Sequence, residues 1–507
     1  MKPLRKIVLA GLGRFSAGAF HAPAAALGQL ESRSPSDPSD VLGSFPYGEE
    51  DVDEAVLAAM QGSTRWRQTS LTMRINALRR LEKELATRLP ELTLRLGREQ
   101  GRPPWECGRE GQGLVARLSH TLNGAKSALE DRGFDDLDAR LAHRPLGVVA
   151  VLGPAMLPIS TSHTHIVAAL VAGNCVVWKP SQHAPAAAQL YTEALHAATL
   201  PPGAFNMIQG DDDVGRRLAS HPGVDAVVFT GSRQHGLELR QALALRPETP
   251  LILHLGSKNP AVVMENADLE RAAREITTSA FLTAGQRCTA LSRVMVHDAV
   301  LGSFLEHLLR AVKRLRIGAP TQHTFMGPML SPARRDAFQA VRERATSEGA
   351  SLLYQGEAPA TGCFAAPSVH LVASRMPDAA YQRDEHFGPD LAVYPVKDFE
   401  DALEVAESTG HVLCASIFCN DRKRWDALSA ELRVSNLFWN RGSTAPSGRL
   451  PFGGGQGVPG GAVALEALRR QVPLQWGSGP SFPGTGARDS DDTDTDSDAD
   501  GPEDASA

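Results

Sequence analysis

The sequence predicts an α/β protein with two parallel-sheet domains, and two observations support that prediction. In the first half of the chain, short apolar runs rich in Val and Ile alternate with helical stretches, which is typical of parallel sheets with crossover helices. A second series of such runs follows in the C-terminal half and indicates a second α/β domain. The chain has 507 residues, which is long enough for more than one hydrophobic core.

The first residues are expected to differ from the helical stretch that follows them. Residues 1–45 contain the linker-like run SRSPSDPSD, and we expect them to be poorly ordered. From residue 51 to about residue 126, Leu and Ile recur at helical spacings among charges, so this stretch is predicted to be helical. Gly11 and Gly13 are not expected to form a dinucleotide fingerprint, because Ser16 stands where a third glycine would let a helix pack closely.

The apolar runs of both series are predicted to be buried strands. In the first series each run leads into a Gly or a Pro, and the runs are GVVAVLGP, CVVWKPS, FNMIQG, DAVVFTG and LILHLG. The second series consists of SRVMVH, LAVYPV, CASIFC and SNLFWN. We expect each series to build its own domain.

Acidic residues are concentrated at the C-terminal end. Residues 479–507 contain nine acids and one base and carry −8, whereas the rest of the chain carries about +2, because the formal net charge of the whole chain is −6. This tail is poor in hydrophobic residues and repels itself, so we predict that it is disordered. The nearly neutral remainder gives no electrostatic reason to expect nucleic acid as a partner.

Cysteine usage and hydropathy favour the cytoplasm. Six cysteines are too few for a disulfide scaffold in a chain of this length, and the lack of a CxxC pair argues against a zinc site, so no metal is expected. Neither a signal peptide nor a membrane partner is expected, because Arg14 interrupts the apolar run near the N-terminus and no other run approaches ~18 apolar residues. A reducing compartment fits this pattern best.

The strongest local signal for chemistry is AFLTAGQRCTALSR at residues 280–293. A reactive cysteine needs a lowered pKa, which a nearby arginine or a helix N-terminus supplies, and Cys288 directly follows Arg287. A buried structural cysteine is the ordinary alternative. This run alone does not separate the two interpretations.

Cys288 stands among segments that resemble the aldehyde dehydrogenase superfamily in the family's own order, from about residue 50 to about residue 476. These segments are PLGVVAVLGPAMLP, VVWKPSQHAP, VVFTGSRQHG, HLGSKNP with GQRCT, and EHFGP, and PFGGGQG closes the series. Within the superfamily, HIVAALVAGNCVVWKPS, LPPGAFNMIQG and SAFLTAGQRCT look most like the succinylglutamate-semialdehyde dehydrogenases. Those enzymes act late in bacterial arginine catabolism.

The resemblance implies the domain organisation of that family. It assigns an NAD(P)-binding domain to 46–130 and 146–253, a catalytic domain to 254–466, and a small bridging element for oligomerisation to 131–145 and 467–478. The run RRQVPLQWG resembles the family's short C-terminal strand, which pairs with a neighbouring subunit. A homodimer or a homotetramer is therefore expected.

The resemblance also implies a reaction. A Cys288 thiolate attacks an aldehyde carbon, hydride passes to a nicotinamide cofactor, and an activated water hydrolyses the thioester to the acid. NAD is expected, and NADP is admissible because Gln182 replaces an acid that would repel the 2′-phosphate. The substrate suggested by the resemblance is succinylglutamate semialdehyde.

Cofactor binding is assigned by matching motif positions. The matching residues are Lys179, Ser181, Gly231, Ser232, Gly236, Glu385 and Phe387. The two glycines and Ser232 match a loop that opens a helix against the cofactor phosphates. Lys179 matches the contact to the adenosine ribose, Glu385 matches the acid on the nicotinamide-side ribose, and Phe387 lines that end.

Two further positions depart from the family's pattern at the catalytic centre. His254 occupies the slot of the glutamate that activates water, at the family's separation from Cys288, and Met156 occupies the slot of an asparagine that donates to the oxyanion. Losing an oxyanion donor typically costs ~10²–10³ in rate, and losing a general base costs ~10²–10⁴. Hydrolytic turnover is therefore in doubt unless another group substitutes.

Three interpretations of His254 stay open. It is a substitute base, since an imidazole with a pKa near ~6.5 can activate water. Alternatively, it is a bystander in a site where coenzyme A or phosphate accepts the acyl group. The third possibility is that it marks a catalytically impaired homologue that is retained for binding cofactor or a partner subunit. Arg441, near the expected substrate funnel, either holds a substrate carboxylate or is a solvated charge at the rim.

Overall fold

The computed structural model of the protein describes residues 8–134, 139–376, 378–444, 446–447, 450, 452 and 464–475. The chain divides into two units. The first comprises Met1–Glu130 and His143–Arg470, and the second comprises Asp131–Ala142 and Gln471–Ala507. The predicted acidic tail at 479–507 lies outside the described residues, and of PFGGGQG only Phe452 is described.

Strands and helices alternate through most of the first unit. In chain order the strands are β1 (Leu9–Ala10), β2 (Arg14–Ser16), β3 (Ala19–His21), β4 (Ala26–Ser34), β5 (Asp37–Gly48), β6 (Arg132–Phe134), β7 (Ala139–Pro145), β8 (Val148–Leu152), β9 (Cys175–Lys179), β10 (Phe205–Met207), β11 (Ala226–Gly231), β12 (Leu251–Leu255), β13 (Asn259–Val263), β14 (Leu291–His297), β15 (Ala350–Gln355), β16 (Ser368–Val372), β17 (Asp390–Val396), β18 (Cys414–Phe418), β19 (Asn436–Trp439) and β20 (Arg469–Gln475). The helices are α1 (Asp51–Gln68), α2 (Leu71–Gln100), α3 (Pro104–Leu129), α4 (Pro158–Ala172), α5 (Pro185–Ala197), α6 (Asp212–Ser220), α7 (Arg233–Ala242), α8 (Leu269–Phe281), α9 (Leu301–Lys313), α10 (Pro332–Ser347), α11 (Ala380–Arg383), α12 (Phe399–Glu407), α13 (Arg422–Glu431) and α14 (Ala464–Ala467).

The expectation that residues 1–45 are poorly ordered is wrong for residues 8–45, which form strands. β4 and β5 pair antiparallel, and the linker-like run SRSPSDPSD spans the turn that joins them. Pro and Ser favour tight turns as well as linkers, so their composition alone does not distinguish the two. The hairpin is held to the rest of the unit because Leu42 and Phe45 of β5 are buried against Ala186.

The glycines near the N-terminus do not open a helix. Gly11 and Gly13 lead from β1 into the strand β2, whereas a dinucleotide fingerprint leads into a helix. A Cβ atom on Gly11 would lie 2.5 Å from the carbonyl oxygen of Ser44, so this glycine permits close packing against β5.

The first large sheet has the strand order β12-β11-β8-β9-β10-β2-β3. Strands β8 to β12 are parallel to their neighbours, and the hairpin of β2 and β3 adds two antiparallel strands beside β10. All five strand-like runs of the first series are strands of this sheet, which confirms that prediction. Helix α4 is buried along almost its whole length.

The second large sheet has the strand order β15-β16-β17-β14-β13-β18-β19. The four runs of the second series are β14, β17, β18 and β19, so these predictions are confirmed as well. The sequence did not identify β13, β15 or β16. β13 occupies the middle of the sheet, between β14 and β18, but it is short and begins with Asn-Pro, which is not typical of a strand.

The connection from β12 to β13 links the two large sheets. The predicted boundary between residues 253 and 254 falls inside β12, so His254 belongs to the first sheet. A third, three-stranded sheet has the order β20-β7-β6. No helix in the described ranges combines the length and the apolar character that crossing a membrane requires.

Candidate active site

A cavity of about 630 Å³ in the first unit is lined by Cys288, His254 and Met156 together. Its walls come from α3, from the start of α4, from α8, and from the segments that follow β11 and β12. The residues that the sequence predicted to act on the substrate therefore share one cavity. Arg441 also lines it, and the Arg441 guanidinium lies 5.5 Å from the centre of the Phe438 ring.

A strained turn presents Cys288 to this cavity. Thr283 and Ala284 have φ values of 59° and 53°, and Gly285 follows with φ of 66°. Non-glycine residues held in the left-handed region cost of order 1–3 kcal/mol each, and such strain is concentrated at functional sites. Gly285 also permits a close approach, because a Cβ there would lie 2.2 Å from the carbonyl oxygen of Gly388.

Side chains of the connection between β12 and β13 fix the backbone of Cys288. The Asn259 side-chain amide donates to the carbonyl oxygens of Cys288 at 2.7 Å and Ala290 at 2.9 Å. Its oxygen accepts from the backbone N–H of Cys414 at 2.8 Å, and the Ser257 hydroxyl donates to the Cys288 carbonyl oxygen at 2.9 Å. Sequence reasoning missed Asn259, although an Asn-Pro pair at the start of an apolar run was a signal that could have found it.

The Cys288 thiol is held in its protonated form. Burial and, secondarily, the charge of Glu385 raise its pKa to about 12, although Arg287 and the backbone N–H groups of Cys288 and Thr289 act in the opposite direction. The expectation that Arg287 lowers the pKa below its ordinary value is therefore wrong. The physical reason is that burial outweighs one arginine whose charge is already compensated.

Glu106 of α3 provides that compensation. Its Oε1 lies 2.9 Å from Nη2 of Arg287 and 3.3 Å from Nη1 of Arg102. Arg287 Nε also donates to the hydroxyl of Thr283 at 2.6 Å, in the strained turn. Although burial opposes ionisation of Glu106, Arg287 and Arg102 hold the pKa of its carboxyl below the usual range. This buried ion cluster ties α3 to the cysteine loop, and no motif along the chain predicted it.

His254 is a buried member of the cavity wall that packs among rings. Its imidazole meets His165 edge-on at a centroid distance of 5.7 Å and Phe452 at 5.5 Å. Burial, with a smaller contribution from His254, lowers the pKa of His165 to about 3, so His165 is neutral near pH 7. Met156 has no side-chain hydrogen to donate, so it offers an oxyanion nothing at the position it occupies.

Lys179 and Ser181 lie at the end of β9, away from the cavity lining. Lys179 is buried, and its Nζ donates to the Pro180 carbonyl oxygen at 3.1 Å. Burial lowers the pKa of Lys179 to about 8, against the charges of Asp212 and Asp211. The Ser181 hydroxyl accepts from the backbone N–H of His183 at 3.2 Å.

The loop that opens α7 lies partly in the cavity wall. Gly231 and Ser232 line the cavity, and the Ser232 hydroxyl caps α7 by accepting from the backbone N–H of His235 at 3.2 Å. Gly236 does not line it. A Cβ on Gly236 would lie 2.3 Å from Cδ2 of Leu255, so this glycine lets α7 pack on β12.

Glu385 and Phe387 pack against Gly256, the first residue after β12. A Cβ on Gly256 would lie 1.7 Å from Oε2 of Glu385 and 2.7 Å from Cζ of Phe387. Burial raises the pKa of Glu385 well above its usual value, against the backbone N–H of Ser257 and the charges of Lys258 and Arg334. Phe387 lines the cavity and has a φ of 46°.

These groups fit a dinucleotide. The backbone N–H groups at the start of α7 that the Ser232 hydroxyl does not cap suit a pyrophosphate, and the buried Lys179 ammonium suits a ribose hydroxyl. Gly256, which has no side chain, leaves room for Glu385 beside the cavity. Among the described residues, no cluster of His, Cys, Asp and Glu is arranged to hold a metal ion.

Comparisons with known proteins agree with this architecture. A model of the aldehyde dehydrogenase family matches residues 22–468. The N-succinylglutamate 5-semialdehyde dehydrogenase of Paraburkholderia xenovorans is 35% identical over 433 residues, which cover 83% of this chain and 88% of that protein.

Two solved structures show the same fold. The NAD-dependent aldehyde dehydrogenase from Sinorhizobium meliloti gives a TM-score of 0.89 at 26% identity and covers 94% of this chain and 97% of that one. The NADP-dependent glyceraldehyde-3-phosphate dehydrogenase from Bacillus halodurans, complexed with NADP, gives a TM-score of 0.86 at 26% identity. It covers 92% of this chain and 99% of that one.

Two large sheets covered by helices, with a cavity lined by a cysteine, define the class of the protein, an α/β enzyme with a thiol in its site. With the family match, the chain belongs to the aldehyde dehydrogenase family, and it is an oxidoreductase. The resemblance and the fold class predicted from the sequence are thereby confirmed.

Proposed function

We propose that the protein oxidises N-succinylglutamate 5-semialdehyde to the acid, with a nicotinamide dinucleotide as the hydride acceptor and Cys288 as the nucleophile. The observation that carries the proposal is that Cys288 and His254 line one cavity, with the Cys288 backbone fixed by Asn259. The substrate follows from the relative in Paraburkholderia xenovorans, whose name specifies that aldehyde. This reaction would place the enzyme in arginine catabolism.

Cys288 begins the reaction. As the sulfur forms a bond to the aldehyde carbon, the thiol proton passes to the carbonyl oxygen, which gives a thiohemiacetal. When the thiohemiacetal becomes a thioester, its hydroxyl proton leaves to solvent. The backbone N–H groups of Cys288 and Thr289 lie beside this sulfur. They can donate to an oxyanion, whereas the thioether of Met156 cannot donate a hydrogen bond. When bound, the dinucleotide supplies the site to which hydride leaves, and the sulfur then carries a thioester.

His254 completes the reaction in this proposal. A neutral imidazole accepts a proton from water, and the resulting hydroxide attacks the thioester carbon. The acid then leaves, and the sulfur is released for another turnover. The packing of His254 against His165 and Phe452 supports this role, because a base must be held in one orientation to act on water.

The cofactor would be held by the seven residues that match the family's motifs. Lys179 and Ser181 would contact the adenosine ribose, and Gly231, Ser232 and Gly236 would form the start of α7 against the phosphates. Glu385 and Phe387 would hold the nicotinamide end. NAD is the proposed cofactor and NADP is admissible, because Gln182 brings no negative charge to the ribose side. A Kd for NADP more than ~100-fold weaker than that for NAD would contradict the Gln182 argument.

The proposed setting is a cytoplasmic homodimer or homotetramer. All six cysteines are free, which supports a reducing compartment. Strand β20 lies at the edge of its three-stranded sheet, and an unpaired edge is a surface on which another strand can pair.

The test is cofactor reduction by the purified protein with N-succinylglutamate 5-semialdehyde, run with NAD and with NADP. We expect repeated turnover that Cys288→Ala abolishes and that His254→Gln lowers by ~10²-fold or more. Cys363→Ala removes a buried cysteine outside the cavity lining and is the matched control. Reduction that persists in Cys288→Ala would contradict the proposal.

A second function, stoichiometric rather than catalytic reduction, is favoured by Met156 in the cavity wall. In a catalytically impaired homologue, attack and hydride transfer would survive while hydrolysis fails. The protein would then show a burst of about one equivalent of reduced cofactor and stop. Coenzyme A or phosphate added after the burst tests acyl transfer, and the absence of any reduction with cofactor still bound would leave a binding role alone.

A further inference from the structure

One face of α3 forms a wall of the active-site cavity. The residues that it presents there are Trp105, Glu106, Arg109, Glu110 and Arg117. Their positions repeat at helical spacings, so they point to the same side of the helix. This wall is therefore strongly polar.

The two acids of this wall are already paired. Glu106 lies between Arg102 and Arg287, as described above. Glu110 forms an ion pair with Arg102 and accepts from the backbone N–H of Ser160 at 3.0 Å. The carboxylates of Glu106 and Glu110 are therefore already paired with Arg102 and Arg287.

Arg117 is different, because it makes no hydrogen bond or ion pair with any of the described residues. Its Nε is fully buried and unsatisfied, and the side chain lines the cavity. Glu110 is near enough to influence it electrostatically but is held by Arg102. His163 also lies close to Arg117 but brings no negative charge, because an imidazole is either neutral or positive, and burial lowers the pKa of His163 to about 3.

Arg117 as a whole is half-buried, but its buried Nε has no acceptor, which is unfavourable unless a ligand supplies one. A carboxylate is the natural match, because its two oxygens can accept from two N–H groups of one guanidinium. The semialdehyde proposed above carries two carboxylates, one on its succinyl group and one on its α-carbon.

We propose that Arg117 binds a carboxylate of the aldehyde substrate and so selects anionic aldehydes. This inference rests on the proposed function for the identity of the aldehyde. Arg117 acts by binding and orienting the substrate while Cys288 attacks at the other end. Its loss should therefore raise KM for the anionic aldehyde more than it lowers kcat.

The test compares Arg117→Gln with the wild type on N-succinylglutamate 5-semialdehyde and on hexanal, which is uncharged. We expect the ratio of kcat/KM for the anionic over the neutral aldehyde to fall roughly tenfold to hundredfold. Arg117→Lys keeps the charge but loses the planar guanidinium that donates two parallel N–H groups. Its ratio should fall between those of the wild type and Arg117→Gln. The matched control is Arg310→Gln, because Arg310 of α9 is an exposed arginine that does not line the cavity.

A binding measurement tests the role of Arg117 even if the proposed oxidation does not occur. Calorimetric titration with N-succinylglutamate, the product acid, needs no turnover. If the wild type fails to reduce cofactor but binds this acid, and Arg117→Gln weakens binding at least tenfold, the carboxylate site stands while the proposed oxidation fails. An unchanged substrate ratio, or equal losses for both aldehydes with unchanged affinity for the acid in Arg117→Gln and Arg117→Lys, would overturn the proposal.

Discussion

At the scale of single residues, the position of Cys288 and its reactivity have separate causes. Position comes from the strained turn before it and from hydrogen bonds of Asn259 and Ser257 to its carbonyl oxygen. Reactivity is restrained by burial, which raises the pKa of the thiol to about 12. The free enzyme therefore stores its nucleophile as a thiol and needs a proton acceptor, or a change in the site, to use it.

The raised pKa of the Cys288 thiol predicts how its alkylation depends on pH. Because the pKa is raised, only a small fraction of Cys288 is thiolate near neutral pH, and that fraction grows with pH until the pKa is reached. Iodoacetamide should label Cys288 about tenfold faster for each unit between about pH 6 and pH 9, as followed by peptide mass spectrometry.

Cys288→Ala is the control that identifies the labelled thiol. A rate that levels off near neutral pH would show a low-pKa cysteine and would contradict the electrostatics described here. Because burial is the main cause of the raised pKa, ligands that displace charge or water near the sulfur are expected to change this profile.

At the scale of secondary-structure elements, α3 has two roles in the site. Its Glu106 compensates Arg287 beside the catalytic cysteine, and its Arg117 faces the cavity without a partner among the described residues. The same helix thus supports the nucleophile and offers a charge to the substrate. Sequence periodicity predicted α3 as a helix. It did not predict the pair of Glu106 with Arg287 or the position of Arg117 in the cavity wall, since both depend on segments that lie far away along the chain.

The element-scale prediction concerns Glu106→Gln. This change leaves Arg102 and Arg287 buried with less compensation, so we expect the free energy of unfolding to fall by about 3–5 kcal/mol in chemical denaturation. Glu31→Gln is the matched control, since the Glu31 side chain is 49% exposed and its partner Arg33 is 48% exposed. The control should change stability by less than about 1 kcal/mol, and equal effects of both changes would contradict the importance of the cluster.

At the scale of the whole molecule, assembly is expected to depend on β20. This strand lies at the edge of its sheet, and the family resemblance assigns it to subunit pairing. Its contribution can be separated from that of the acidic tail, because the tail at 479–507 follows it in the chain.

We predict that deleting residues 471–507 shifts the protein to monomers, whereas deleting 479–507 leaves the oligomer intact. The first deletion removes most of an edge strand that can pair with another subunit, and the second removes only acidic chain. Light scattering coupled to gel filtration measures both masses. A shift to monomers in both deletions would assign assembly to the tail instead.

Local patterns along the chain were enough to predict the fold class, nine of the strands and three residues that line the cavity, which are Cys288, His254 and Met156. These were accessible because apolar periodicity and motif spacing are local along the chain. The sequence also showed that His254 and Met156 depart from the family's pattern. It failed for residues 8–45, where Pro- and Ser-rich composition fits a hairpin turn as well as a linker.

Only the tertiary structure decided the electrostatics of the site. Burial, which raises the pKa of Cys288, depends on how two sheets and several helices enclose the thiol, and no local pattern encodes it. The same is true of Asn259 and Glu106, because their partners Cys288 and Arg287 lie at least 29 positions away along the chain. It is also true of Arg117, whose lack of a partner among the described residues is visible only in the folded chain. Charges and hydrogen bonds act through space, so their effect appears only when distant segments are brought together.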